Sequence, residues 1–176
     1  WSGVHLSSAA RPLRARCIAR LGEQAYKGVF TLALVTAIVL MVVGWRSAPP
    51  ASVYAPPAWG HSAALPLVFL ALVLFAASTL ESNVKRFVRH PQLSGVCVWA
   101  GAHLLSNGDS RSLVLFGVLG AWALVEMGLI SRREGPWERP GPQPLVAELK
   151  PLVGALVIYL VLFVAHPYLF GASPMP

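Results

Sequence analysis

Charge is scarce in this chain. Only 12% of its 176 residues are charged, about half of the roughly 25% that a soluble domain carries. Acids are scarcer still, seven against fourteen Lys and Arg. So few charges cannot cover a water-facing surface, which excludes an ordinary soluble enzyme. A hydrophobic share of 56% also excludes intrinsic disorder. The net charge of +7 would suit a nucleic acid, but it sits in short stretches between apolar runs, so no nucleic-acid partner is expected. Cysteine is nearly missing: Cys17 and Cys97 cannot build a disulfide framework or a thiolate cage. No P-loop, GxSxG, HExxH or CxxC motif occurs, and no internal repeat is visible.

What is plentiful is long apolar sequence, with a mean hydropathy of +0.62. A helix that crosses a bilayer needs about 20 mostly apolar residues. Four runs meet that need: Gly28 to Trp45, Ser62 to Leu80 with Pro66 in its first turns, Leu113 to Ile130 broken by Glu126, and Leu152 to Phe170. A fifth, Pro91 to Leu105, is shorter. Pro91 suits a first helical position, and Ser106-Asn107-Gly108-Asp109 is a turn-forming run. Trp1 to Ala10 is apolar but only half a span long, and it reads as the last turns of a first helix. The sequence therefore predicts an all-α integral membrane bundle of about six transmembrane helices, the first truncated, in a single domain over residues 1–176. The runs lack the period-two alternation of a barrel.

The loops test this topology. Arg11 to Lys27 holds five Lys/Arg, Glu81 to His90 three, and Ser131 to Pro151 four; the two intervening loops hold one each. Twelve basic residues on one side against two on the other make the basic side cytoplasmic, or its organellar equivalent. Both termini then lie outside. The Pro-rich stretch Ser47 to Trp59 is expected to lie extended on the outer surface, and Glu134 to Pro144 to act as a connector.

The topology sorts the five histidines. His5 and His90 fall at the basic side; His61, His103 and His166 fall toward the other. Imidazoles in a bilayer are costly and usually have a partner. Two neutral imidazoles from different helices can hold a haem iron as axial ligands, with Arg11, Arg14, Arg86 and Arg89 near enough in sequence to meet propionates. Tyr26 and Trp99 are candidate ring neighbours. The plainer alternative is that His5 bonds within a helix interface and His90 caps the helix ahead of Pro91. His103 cannot share a metal with His90, because thirteen residues of helix are about 20 Å of rise and about 220° of rotation. It shares a face with Trp99 and can form an outer polar patch with Asn107, His61 and His166. Glu126, the lone acid within a span, is a candidate catalytic residue beside His103, or the partner of an arginine such as Arg132. Cys97, two turns beyond His90 on roughly the same face, either approaches a cofactor there or, as the plainer alternative, is a small apolar filler.

The stretch Arg89 to Gly108 (RHPQLSGVCVWAGAHLLSNG) resembles the NnrU family, which also contains the plant and cyanobacterial zeta-carotene isomerase. The resemblance is carried by Arg89-His90-Pro91-Gln92, Gly95, Trp99, Ala102-His103-Leu104 and Asn107-Gly108. Gly3-Val4-His5, Leu21-Gly22-Glu23, Ala25-Tyr26-Lys27-Gly28, Pro56-Pro57-Ala58-Trp59 and Ala121-Trp122-Ala123 through Glu126 also fit. It implies a multi-pass membrane protein and, from the isomerase branch, a haem b held by His5 and His90 with redox-dependent cis-to-trans isomerisation. The isomerase has a cysteine just before its RHP motif; Phe87 and Val88 stand here, which counts against a thiolate switch. The NnrU branch implies a role beside bacterial denitrification, in the inner membrane. Three readings follow: a haem b protein serving denitrification or respiratory electron transfer, a carotenoid isomerase, and a non-catalytic subunit of a larger membrane redox assembly. Beyond the lipid bilayer, the expected partners are other subunits of such an assembly and a carotenoid or quinone ligand.

Overall fold

The computed structural model describes residues 1–4 and 11–175, the side chains of 11–13 excepted. It divides into two compact units, Trp1–Ala51 and Ser52–Pro176. In the first, α1 (Arg11–Leu21) is followed after a single residue by α2 (Glu23–Ser47). That residue is Gly22, with φ 80°, a conformation that a Cβ disfavours and glycine adopts freely. Within the unit α2 buries none of its residues. A helix apolar on every side needs lipid or protein to cover it, and α2 exposes Leu32, Val35, Leu40 and Val43.

The second unit holds α3 (Gly60–Thr79), a 3-10 turn (Asn83–Arg86), α4 (Pro91–Ser106), α5 (Ser110–Glu134), a second 3-10 turn (Leu145–Glu148) and α6 (Leu149–Phe170). α4 packs against both α3 and α5, and α3 also packs against α6. Small residues let these backbones approach. Ala71, Ala77, Ala102 and Ala123 are wholly buried. A Cβ on Gly95 would meet the carbonyl oxygen of Ala71 at 3.0 Å, and one on Gly120 the Cβ of Ala100 at 3.3 Å. The large side chains point outward instead, among them Val114, Leu124, Val161 and Val164, as lipid-facing surfaces do.

Four helical stretches are long and apolar enough to cross a membrane: Glu23–Ser47, Gly60–Thr79, Ser110–Glu134 and Leu145–Phe170. The chain is thus an all-α membrane protein. The expected count of about six is not reached among the described residues. α4 has 16 residues, about 24 Å of rise, against a hydrocarbon core about 30 Å thick. Most of Trp1 to Ala10 lies outside the described residues.

α4 and α5 form an antiparallel hairpin about a tight turn. Asp109 starts α5 by capping it: Oδ1 accepts from the amides of Arg111 at 3.0 Å and Ser112 at 3.1 Å, and Oδ2 accepts from the Ser112 hydroxyl at 2.6 Å. Burial alone would raise the Asp109 carboxyl, but the Ser112 hydroxyl, the Ser112 and Arg111 amides and the Arg111 charge outweigh it and hold it below its ordinary value. A depressed carboxylate contributes stability above its unfolded pKa and loses it as pH falls through the folded one. Asp109→Ala is expected to cost about 1 kcal/mol in thermal unfolding in detergent at neutral pH. The difference from wild type should shrink as the medium is acidified below the ordinary carboxylate range.

The Pro-rich segment before α3 does not merely run along the surface. The amides of Val53 and Tyr54 donate to the carbonyl of Gly108 at 2.8 and 3.1 Å. The Tyr54 hydroxyl is shared between the carbonyls of Leu104 and Asn107. This latch closes the α4–α5 turn at the end of the unit with few charges.

Candidate functional site

The residue before a proline is pushed out of the helical region, and His90 obeys this with φ −123° and ψ 69°. Its backbone ends the connector and Pro91 begins α4. His90 is the N-cap residue of α4, as the plainer reading expected, but its side chain makes no cap hydrogen bond. The ring is instead directed across the hairpin, with Nε2 2.9 Å from the Ser131 hydroxyl of α5. The other ring nitrogen has no hydrogen bond among the described residues. Partial burial lowers the basicity of the imidazole, and the Arg89 charge lowers it further against the opposing pull of Glu134. At neutral pH the ring is therefore neutral, the form that ligates a metal.

The surroundings are cationic. Arg89 pairs with Glu134 at 3.6 Å, and Arg133 reaches the same carboxylate at 3.7 Å. Arg86, four residues before His90, has a buried Nε with no hydrogen-bond partner among the described residues. A polar knot fixes the loop that carries these groups. The Asn83 side chain exchanges hydrogen bonds with the Gln143 backbone, both at 2.9 Å. Glu148 accepts from the Ser82 hydroxyl at 2.7 Å and from the Asn83 amide.

The sequence-predicted residues separate into distinct places. His5 lies outside the described residues, as does the side chain of Arg11, whose backbone opens α1. Trp99 is not beside His90. It sits nine residues further along α4, about 13 Å of rise, in an aromatic cluster at the opposite end. There its ring is 4.9 Å from His103 and 4.9 Å edge-on from Phe116, while His103 stacks on Phe116 at 4.4 Å. His103 Nδ1 is 2.9 Å from the Trp99 carbonyl, and Asn107 donates to the His103 carbonyl at 2.9 Å. His61 and His166 bond backbone carbonyls of the C-terminal tail, Pro174 at 2.9 Å and Ala172 at 2.8 Å. Cys97 fills the α4–α5 contact, with Sγ 3.9 Å from the Gly120 carbonyl. Among the described residues no cluster of three His, Cys, Asp or Glu forms a metal site.

Glu126 is buried, at 9% exposure. It forms no ion pair among the described residues, so the expected pairing with an arginine does not appear there. Its Oε2 is buried without a hydrogen-bond partner among them. The reason is helical: six residues separate Glu126 from Arg132, a rotation of about 240°, so the guanidinium leaves on another face. An orphaned buried polar group costs about 1–3 kcal/mol. Glu126→Met should therefore raise the unfolding temperature in detergent, by a stabilisation of that order. A fall instead would mean that the carboxyl has a partner.

Sequence reasoning did not single out Ser131, Glu134, Phe116 or Tyr54. Phe116 and Ser131 carried one usable signal. A turn as tight as 107–109 makes flanking helices antiparallel neighbours, so residues before it meet residues after it in reverse order, as Ser94 and Met127 also do. A nearly wholly apolar shallow groove lies along the far half of α4, lined by Leu67, Val98, Gly101, Ala102, Leu104 and Leu105.

Neither a curated protein nor a solved structure is significantly similar to the chain. A family model described as NnrU protein matches residues 1–174, nearly the full length and both compact units. The chain belongs to the NnrU family.

Proposed function

We propose that the protein is a haem b-binding membrane protein of the NnrU type, in a bacterial inner membrane, which supports denitrification or respiratory redox chemistry. The observation that carries this reading is His90: a neutral imidazole at the basic end of α4, with one nitrogen oriented by Ser131. A ligating histidine characteristically has its second nitrogen oriented in this way. The residues fit the group. Arg86 offers a buried, unanswered Nε and Arg89 a half-buried guanidinium, donors suited to propionates. His5, which the charge topology assigns to the same basic end, would be the second imidazole to hold the iron. Arg11 and Arg14 are further propionate donors. Bound there, haem supplies one-electron chemistry. The chain would hold the iron by imidazole, answer the propionates with guanidinium, and exclude water with its apolar helices.

The test is a visible spectrum of the purified protein, oxidised and then reduced. A Soret band with reduced alpha absorption is expected, reversible on reoxidation; its absence would end the reading. Incubating the reduced protein with tri-cis and di-cis zeta-carotene separates redox service from isomerisation. An unchanged isomer profile is expected, because the apolar groove begins at Val98, two turns beyond His90. Migration alone in mild detergent would exclude a purely accessory subunit.

A further inference from the structure

α1 is rich in one charge: Arg11, Arg14, Arg16 and Arg20 occupy four of its eleven positions. Arg16 and Arg20 are both exposed and stand at i and i+4, so they share a face and repel each other. Neither forms an ion pair among the described residues. The acid that follows α1, Glu23, is taken by Lys27 at 2.8 Å. Arg14 turns to the Tyr26 ring, 5.8 Å from its centroid. The Arg16–Arg20 face is thus a concentration of positive charge with no counter-charge among the described residues of its own unit.

Position selects the anion. Only Gly22 separates α1 from α2, which is long and apolar enough to cross a membrane. Arg20 stands eight residues before Gly28, where the apolar run of α2 begins, at most about 12 Å of helix rise, which keeps the face within reach of lipid phosphates. Basic clusters directly beside a span attract anionic headgroups, and guanidinium binds phosphate through two parallel hydrogen bonds. A zwitterionic headgroup carries its own ammonium and gains less.

We infer that the Arg16–Arg20 face of α1 is a docking site for anionic phospholipid headgroups of the basic-side leaflet. The site is separate from that of the proposed cofactor, for which Arg11 and Arg14 are the donors suggested from this helix.

The test titrates phosphatidylglycerol and phosphatidylcholine of matched acyl chains into the full chain in detergent and counts bound lipid by native mass spectrometry. The wild type should prefer phosphatidylglycerol. Arg16→Gln with Arg20→Gln should weaken that binding about fivefold per charge, about 25-fold for the pair, and leave phosphatidylcholine binding unchanged. Arg16→Lys with Arg20→Lys should keep most of the preference, which separates charge from folding. A wild type without preference, or a Gln pair that keeps it, overturns the site. Binding of polyglutamate in place of phosphatidylglycerol would also overturn it and assign the face to an acidic protein.

Discussion

His90→Ala is expected to abolish the reversible Soret and alpha absorbance of the purified protein while leaving it folded. The substitution spares the backbone logic of the site: Pro91 still opens α4, and the His90 side chain does not cap that helix. The fold loses one hydrogen bond, to Ser131, worth about 1 kcal/mol. The proposed haem would lose one of the two imidazoles that hold its iron. Graded controls surround this result. Ser131→Ala removes only the orienting hydroxyl and should weaken haem retention by about tenfold, the low end of what outer-shell partners contribute. Arg86→Gln should loosen the cofactor without changing the axial spectrum. His103→Ala, in the cluster at the other end of α4, should leave both bands intact. A His90→Ala protein that keeps its bands would remove His90 as an axial ligand. Loss of the bands with His103→Ala would move the site to the aromatic cluster.

How much of this was legible depended on the range of the interaction. α4 begins at Pro91 and ends at Ser106, within one residue of the reading from Pro91 and the turn residues, because both boundaries are set by local backbone chemistry. The sorting of His90 from His61, His103 and His166 survived for a similar reason: apolar length and loop charge fix which end of a span a residue occupies. Trp99 shows where the sequence fell short. Its place on the His103 face was readable from their spacing, yet it was also assigned to His90, a full nine residues away. The partner that decides the matter, Phe116, comes from another helix. Ser131 was invisible for a different reason, since a serine near a helix end has no distinctive pattern until the opposing imidazole is placed. Glu126 has Arg132 as its nearest basic sequence neighbour, but six residues along a helix turn the two side chains about 120° apart, and burial rather than proximity governs it.

Gly108→Ala should be among the most damaging single-methyl additions available to the fold. Gly108 lies where two backbones meet: its carbonyl accepts from the amides of Val53 and Tyr54, and a Cβ there would sit well inside van der Waals contact of the Tyr54 carbonyl oxygen. The same Cβ would come within 2.9 Å of Pro56 Cδ and 3.0 Å of the Tyr54 carbonyl carbon. Neither neighbour is the free end of a flexible side chain. Proline cannot turn away, and Tyr54 is held by its hydroxyl to the α4 carbonyls of Leu104 and Asn107. The strand-like segment must therefore lift off the turn, and the latch opens as a unit. Overpacking of this kind costs about 1–3 kcal/mol, and the two backbone bonds and the phenol bond raise the expected loss to about 3 kcal/mol or more. Thermal unfolding in detergent reads it directly. Gly28→Ala serves as the control, because a Cβ at Gly28 meets nothing within 4 Å and a helical alanine stabilises by about 0.5–1 kcal/mol. Tyr54→Phe removes only the phenol bond and should fall between the two. If Gly108→Ala unfolds at the wild-type temperature, the Pro-rich segment does not hold the α4–α5 turn, and the end of the hairpin bearing His103 is fixed by its aromatic cluster alone.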